Sequence, residues 1–306
     1  MSFKLSHRLL YFYKGHITNW FWKDKLQRRR IRNSAYAEMI LKSLSGYLPF
    51  IHKMVPDPSL KKMESSEEYF FTSWLQGETE APEIIKKCLK SQRRLLGDKL
   101  IVLDNSNLDN YIDKSQDIKE KWENGIMSAA HYSDIVRLEL LYKYGGYWLD
   151  ATLFFTGPIN HEIINSDFFM LSTSPKLLGH TLVQNYFIRA KKGDPLLKMW
   201  KDLLTEYWSK ENEAKDYYVS QYLFRLLVEN NEYAKYLYDK MPKVSIDKSQ
   251  ILWREIGNVP YNEELYRKMC EESFFQKCSY KMRKELLHEI IEGSMADYVL
   301  NDKVEV

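Results

Sequence analysis

Residues 141–155, LYKYGGYWLDATLFF, constrain this chain more than any other stretch. An apolar and aromatic run passes through Gly145-Gly146 and then reaches one carboxylate, Asp150. Burying a lone carboxylate costs several kcal/mol unless a cation or hydrogen-bond donors meet it. YWLDATLFF therefore reads as a strand that delivers Asp150 to a sheet rim, with Thr152 two residues on and on the same face.

The segment before it, SAAHYSDIVRLELLYKYGG, predicts a helix starting at Ser128 or Ser133 and running to Tyr144. Ile135, Leu138, Leu141 and Tyr142 form its apolar stripe, and Gly145 stops it. Asp134 and Arg137 stand three apart and share a face. Two plain readings remain open. Asp134–Arg137 is also the pattern of a surface pair worth about 0.2–0.5 kcal/mol, and Asp150 is also a residue that caps turns. Their joint placement around a Gly-Gly turn points instead to a site. A diphosphate with Mg²⁺ or Mn²⁺ would satisfy the carboxylate, the hydroxyl and the guanidinium together, because these hard cations take carboxylate and phosphate oxygens.

Upstream, YFFTSWLQG (69–77) reads as a strand, APEIIKKCLKSQRRLL (81–96) as a helix and KLIVLD (99–104) as a second strand. Strand, helix, strand with short connections is a βαβ unit, and α/β sheets bind ligands at the carboxyl ends of their strands. NLDNYI (107–112) reads as a short turn or helix, and DFFMLSTS (167–174) is a further strand. From about residue 195 the pattern is helical. The 306 residues are 44% hydrophobic and 28% charged, which excludes a disordered chain.

Cys88, Cys270 and Cys278 form no CxxC pair, so neither a disulfide framework nor a zinc site is expected, and a reducing cytoplasm suits the chain. No apolar run approaches the ~18 residues of a membrane span. Residues 1–35 hold nine Lys or Arg against the single acid Asp24, although the whole chain is only +3. Residues 1–60 thus read as a basic, amphipathic helical arm. It either lies on an anionic membrane surface or packs on its own domain. An acidic linker, KKMESSEE (61–68), leads from it into the remaining domain, 61–306. That domain is net acidic and shows no recognised nucleic-acid motif, so no nucleic acid is expected as a partner.

AHYSDIVRLELLYKYGGYWLDAT resembles the SD-x-x-R…L-x-x-x-GG-x-Y/W-x-D-x-D/T block of capsular polysaccharide synthesis proteins, a set similar to glycosyltransferase family 32. FTSWLQGETEAPEIIKKCLKS resembles that family's first strand and helix, with its W-x-x-G. NYFIRAKKGDPLLKMW resembles its N-x-x-I-x-A-x-x-x-H/D-P block, and FFQKCSYK is a looser match to a late K-L-T-x-K element. Together these cover roughly 69 to 281.

The resemblance implies a GT-A glycosyltransferase: a Rossmann-type mixed α/β sheet flanked by helices, with a helical N-terminal arm and a helix-rich C-terminal part. The nucleotide-sugar core would be 69–175 and the acceptor-side helical part 176–306. By the same resemblance Trp74 stacks the nucleotide base, Asp134 and Arg137 contact the donor sugar, and Asp150 is the first acid of a metal-binding D-x-D. Thr152 stands where the strict pattern has a second acid. Asn185 and Asp194 match the block with acceptor or sugar contacts, and Gln76 and Gly146 join the donor site. Lys277 and Lys281 would reach the diphosphate as the site closes, or are simply solvated. His131 reads as a packed histidine, and Asp194-Pro195 equally as a helix start.

The activity so implied is transfer of a hexose, with retention of configuration, from a nucleotide diphosphate sugar to a glycan or lipid-linked glycan acceptor. It would serve capsular or surface polysaccharide synthesis, in the cytoplasm or at the inner face of the plasma membrane. A sugar-1-phosphate transferase would need the same groups. Thr152 favours a third reading, an inactive glycosyltransferase-like scaffold.

Overall fold

The computed structural model describes residues 25–55, 68–113, 115–174, 181–280 and 290–304, with side chains from Asn33 onward. Residues 1–24 and 56–60 of the basic arm, most of the acidic linker and Lys281 lie outside the described residues.

In chain order, α1 (Lys25–Ser43) and α2 (Leu48–Lys53) precede β1 (Phe70–Ser73), α3 (Glu83–Leu96) and β2 (Leu100–Leu103). Next come α4 (Gln116–Glu123), α5 (Ala129–Tyr144), β3 (Gly146–Leu149), β4 (Leu153–Phe155), α6 (His161–Asn165), β5 (Phe168–Ser172) and β6 (Val183–Ala190). The remainder is α7 (Pro195–Lys210), α8 (Val219–Asn230), α9 (Glu232–Lys240), α10 (Glu263–Glu272), β7 (Phe275–Lys277) and α11 (Met295–Leu300).

β1 and β2 pair in parallel across the α3 crossover, as the βαβ pattern requires. β3 joins β1 in parallel, and β6 and β5 extend the sheet antiparallel, giving the order β2-β1-β3-β6-β5. The result is the expected mixed α/β sheet flanked by helices. β4 and β7 form a separate antiparallel ribbon.

Strand β6 goes beyond the sequence reading, which has no strand there. Its polar positions Gln184, Asn185 and Arg189 break up the apolar run, yet burial on both faces makes it a central strand. β7 is also unanticipated, because three residues carry too short a pattern to read. YWLDATLFF is not one strand. The amide of Asp150 still pairs with the Tyr186 carbonyl at 2.8 Å, but the Leu153 amide then turns back to the Asp150 carbonyl at 3.0 Å. Gln92, fully buried on α3, donates to the carbonyls of Asp150 (3.1 Å) and Leu153 (3.0 Å). That amide pins the turn, so the chain leaves the main sheet at Asp150 and enters the ribbon at Leu153.

The main core runs through α5, the sheet, α7 and α8. Ala37, Ile40, Leu41, Leu44, Tyr47 and Ile51 belong to it, so the described part of the 1–60 arm packs on its own domain rather than standing apart. Ser128 caps α5, and the helix is enclosed nearly all round, Asp134 and Arg137 included. Among the described residues no helix is long and apolar enough to cross a membrane.

The Gly-Gly turn has a steric cause. Both glycines have positive φ, +74° at Gly145 and +93° at Gly146. A Cβ on Gly146 would sit 2.2 Å from the Tyr69 carbonyl oxygen, and one on Gly145 would sit 2.6 Å from the Lys192 amide nitrogen. Only glycine lets α5 feed β3 this close to β1. Gly146 thus opens β3 at its amino end, while Asp150 follows its carboxyl end, about 13 Å away at strand rise. Gly146 therefore shapes the fold and is not part of the ligand-facing rim. Gly146→Ala is expected to cost about 2–3 kcal/mol, read as a lowered midpoint in urea unfolding; an unchanged midpoint would contradict this account of the turn.

Candidate active site

The carboxyl ends of parallel β1 and β3 lie side by side, and the start of antiparallel β6 meets them there. This rim gathers Trp74 and Gln76 just past β1, Asp150 just past β3, and Asn185 near the start of β6. It is the place where α/β sheets bind ligands.

Asp150 is its centre. Its Oδ1 accepts from the Trp148 indole at 3.0 Å and lies 3.7 Å from the Arg137 guanidinium. Its Oδ2 accepts from the Lys277 ammonium at 2.9 Å. Burial alone would push the Asp150 carboxyl up. Lys277 first, and then Arg137, outweigh it and hold the group below the ordinary carboxylate range. Lys277 also donates to the Thr152 hydroxyl, and its ammonium stands 5.0 Å over the Tyr186 ring. Lys277 is thus fixed at the end of β7 and not a solvated tail lysine. The ribbon sets its position: Lys277 faces Leu153 in the register, and the Cys278 amide donates to the Thr152 carbonyl at 2.8 Å.

Beneath Asp150 lies a second, drier layer. Arg137 donates to the Asn185 carbonyl (2.6 Å), the Ser133 carbonyl (3.1 Å) and the Ser133 hydroxyl (3.1 Å), and pairs with Asp134 at 3.3 Å. Its guanidinium stacks 5.0 Å over the Trp148 ring. The Asn185 amide donates to Asp134 at 2.8 Å, and Gln221 on α8 donates to the Asn185 side-chain oxygen at 2.8 Å. Asn185 therefore sits buried on strand β6. Burial raises the Asp134 carboxyl above its ordinary range, against the pull of Arg137 and His131. The side chains of Asp134 and Arg137 are 9% and 6% exposed, against 26% and 23% for Asp150 and Lys277. A ligand at this rim meets Asp150 and Lys277 first; Asp134 and Arg137 support them from below.

Trp74 packs its ring edge-on against Tyr280 at 5.3 Å, three residues beyond Lys277. One short segment, 275–280, thus spans from the base-stacking candidate to the acid. Among the described residues the Trp74 indole nitrogen has no hydrogen-bond partner. Gln76 is exposed beside it. Tyr217 borders the site on the α8 side. Burial first, and then the Asp150 charge, push its hydroxyl up to about 12.

Asp194 stands apart from this rim. It caps α7, accepting from the Leu196 and Leu197 amides at 2.9 and 3.0 Å. With Asp167 and Lys240 it lines a cavity of about 620 Å³ by the amino end of β5, the opposite rim. His131 packs 5.5 Å from Trp208 and bonds Ser128, a structural histidine as read.

Sequence reasoning missed Gln92, Gln221, Trp148 and Tyr186. Trp148 had a signal, since a residue two before Asp150 on a strand shares its face. Gln92 and Gln221 are single amides inside amphipathic helices, and nothing local marks them.

A divalent cation on Asp150 and Thr152 is the expectation drawn from the D-x-D resemblance. The donor set does not fit one as it stands. It offers one carboxylate and one hydroxyl, both already turned onto an ammonium. Among the described residues no three His, Cys, Asp or Glu side chains converge to hold a metal ion.

The pairing has a pH consequence. A carboxyl depressed in the folded state adds stability above its unfolded pKa, and that stability is lost as pH falls through the folded value. Lys277→Met removes the largest lowering influence on Asp150. The variant is expected to lose stability at neutral pH and to show a shallower acid limb in urea unfolding from about pH 3 to 7. Parallel curves for the two proteins would refute the coupling.

A family profile described as capsular polysaccharide synthesis protein matches residues 18–298. The chain is 27% identical over 175 residues to the O-glycosyltransferase braB of Annulohypoxylon truncatum, covering 50% of this chain and 41% of that protein. It is 26% identical over 169 residues to the O-glycosyltransferase PaGT of Phomopsis amygdali, covering 50% and 42%. A shorter match, 31% over 90 residues, links it to the glycosyltransferase afumC of Aspergillus fumigatus, covering 26% and 22%. The chain therefore spans less than half the length of each of these curated relatives.

Proposed function

We propose, from the premise that the chain belongs to the capsular polysaccharide synthesis protein family, that it is a glycosyltransferase. Its donor is a nucleotide diphosphate sugar, and its acceptor is a hydroxyl of a glycan or lipid-linked glycan in surface polysaccharide synthesis. The observation that carries this reading is the charge arrangement at the rim. Lys277 is 2.9 Å from Asp150 and Arg137 is 3.7 Å from it, beside the Trp74–Tyr280 aromatic pair at the carboxyl ends of two parallel strands.

In the reaction the bond from the anomeric carbon to the diphosphate oxygen breaks, and its electron pair leaves with the diphosphate. The acceptor hydroxyl oxygen forms the new bond to that carbon and gives up its proton. The barrier is charge separation: an oxocarbenium-like centre on the sugar and growing negative charge on the leaving group. A preorganised cation beside the leaving group lowers that barrier, because it needs no reorganisation as the charge develops. Asp150 orients Lys277 for this task. Asp134, held by Asn185, steadies Arg137 beneath Asp150 and so keeps the rim in one geometry for the donor. Trp74 and Tyr280 offer faces to the nucleotide base. The family resemblance supports retention of configuration.

The names of the three fungal relatives and the family profile support sugar transfer. A screen of nucleotide-sugars is expected to find at least one that yields free nucleoside diphosphate together with free or transferred sugar. Asp150→Ala is expected to lower that turnover by about 100-fold or more while remaining folded. Full turnover by Asp150→Ala would remove the proposal, and a product carrying sugar-1-phosphate would replace it with phosphotransfer.

The proposal extends to the basic arm, whose charge pattern suits anionic lipid. A chain lacking residues 1–24, which leaves the packed part of α1 intact, is expected to bind phosphatidylserine vesicles less well than the full chain. Equal binding would refute membrane contact through this arm.

A further inference from the structure

The position that a D-x-D site gives to a divalent cation is filled here by a side chain. Asp150 and Thr152, separated by one residue, both turn toward one point, and the Lys277 ammonium stands at that point. We propose that Lys277 is this chain's built-in counter-cation for the leaving diphosphate, so that donor binding and cleavage need no divalent metal. The inference rests on the glycosyl-transfer reading and deepens it.

Four observations carry it. First, the lysine is locked rather than adaptable. β7 is pinned by its ladder to β4, and the fully buried Gln276 beside Lys277 accepts from the Leu252 amide at 3.0 Å and donates to the Lys248 carbonyl at 3.1 Å. The Tyr186 ring forms a wall 5.0 Å from the ammonium. A lysine so held is preorganised, as a bound ion would be.

Second, the hydrogen-bond count leaves capacity for a ligand. An ammonium has three N–H donors. Asp150 and Thr152 take two, and the side chain remains 23% exposed at the rim. The third donor serves a phosphate oxygen as a charge-assisted bond.

Third, Thr152 gains a reason. A second carboxylate at position 152 would draw the ammonium into a pair of negative charges and leave the rim net anionic toward an incoming diphosphate. A hydroxyl anchors the lysine without adding charge. The departure from D-x-D and the presence of Lys277 are then one change and not two.

Fourth, a divalent cation placed between Asp150 and Thr152 would lie within bonding distance of an ammonium and be repelled by it. Arg137, 3.7 Å from the same carboxylate, adds a second positive charge. Lys277 thus occupies the cation's place, and the Arg137 charge, shared with Asp134, backs it from below.

The test is calorimetric titration of the full chain with uridine, guanosine, adenosine, cytidine and thymidine diphosphates, each in EDTA and in Mn²⁺. At least one is expected to bind in EDTA, with Mn²⁺ changing its affinity by no more than about twofold. Lys277→Met should weaken that binding about tenfold or more, the loss of one charge-assisted bond, and Lys277→Arg should restore part of it. Far-ultraviolet circular dichroism checks that each variant is folded. Binding that appears only with Mn²⁺ overturns the lysine inference and leaves glycosyl transfer standing. Undiminished binding by a folded Lys277→Met likewise overturns the inference alone. No binding of any diphosphate, with or without Mn²⁺, overturns both.

Discussion

One carboxylate at the end of a strand governs this structure. Asp150 leaves the main sheet at the place where a negative charge is dear, and every element nearby is arranged to meet it. α3 supplies Gln92 to pin its backbone, α5 supplies Arg137, β3 supplies the Trp148 indole, and β7 returns from more than a hundred residues away to supply Lys277. The ribbon of β4 and β7 that carries Lys277 also buries Leu153, Phe155 and Phe275 in the main core. Chemistry and topology meet here: the chain turns after Asp150 under the Gln92 amide, and Thr152 and Lys277 come to face the carboxylate.

The site has two layers with different work. Asp150, Lys277 and Thr152 form the accessible layer, where a phosphate can arrive. Asp134, Arg137, Asn185 and Gln221 form the buried layer, in which nearly every polar atom spends its hydrogen bonds on a neighbour. Such a network is costly to disturb, since any single deletion leaves a dry charge or amide unpaired. Its opposed effects on the two acids, Asp134 pushed up by burial and Asp150 held down by cations, keep their roles distinct. Asp150 is the permanent anion that fixes the lysine. Asp134 is the buried acid held by Asn185 and Arg137.

Much of this was legible in the sequence, for reasons that differ by residue. The βαβ unit, the helix before the Gly-Gly turn and the junction of Asp134, Arg137 and Asp150 all follow from local spacing, which a linear chain displays. Gly146 was legible as necessary but not as to why: its glycine is demanded by the Tyr69 carbonyl, a contact made through the sheet. β6 was hidden because Asn185 and Gln184 interrupt its apolar run for the sake of the site. Lys277 could be listed but not placed. Its role depends on pairing a three-residue strand with β4, which no local pattern announces. Asp194 shows the opposite failure, a residue in a suggestive block that caps a helix at the far rim.

The central claim is that Asp150 and Lys277 act as one unit at the ligand-facing rim. A double-mutant cycle tests it most directly, with unfolding free energy measured for the parent chain, Asp150→Asn, Lys277→Met and the double variant at neutral pH. A coupling of about 1 kcal/mol or more between the two substitutions is the predicted result. Strict additivity, with each change costing the same whether or not the other is present, would contradict the account.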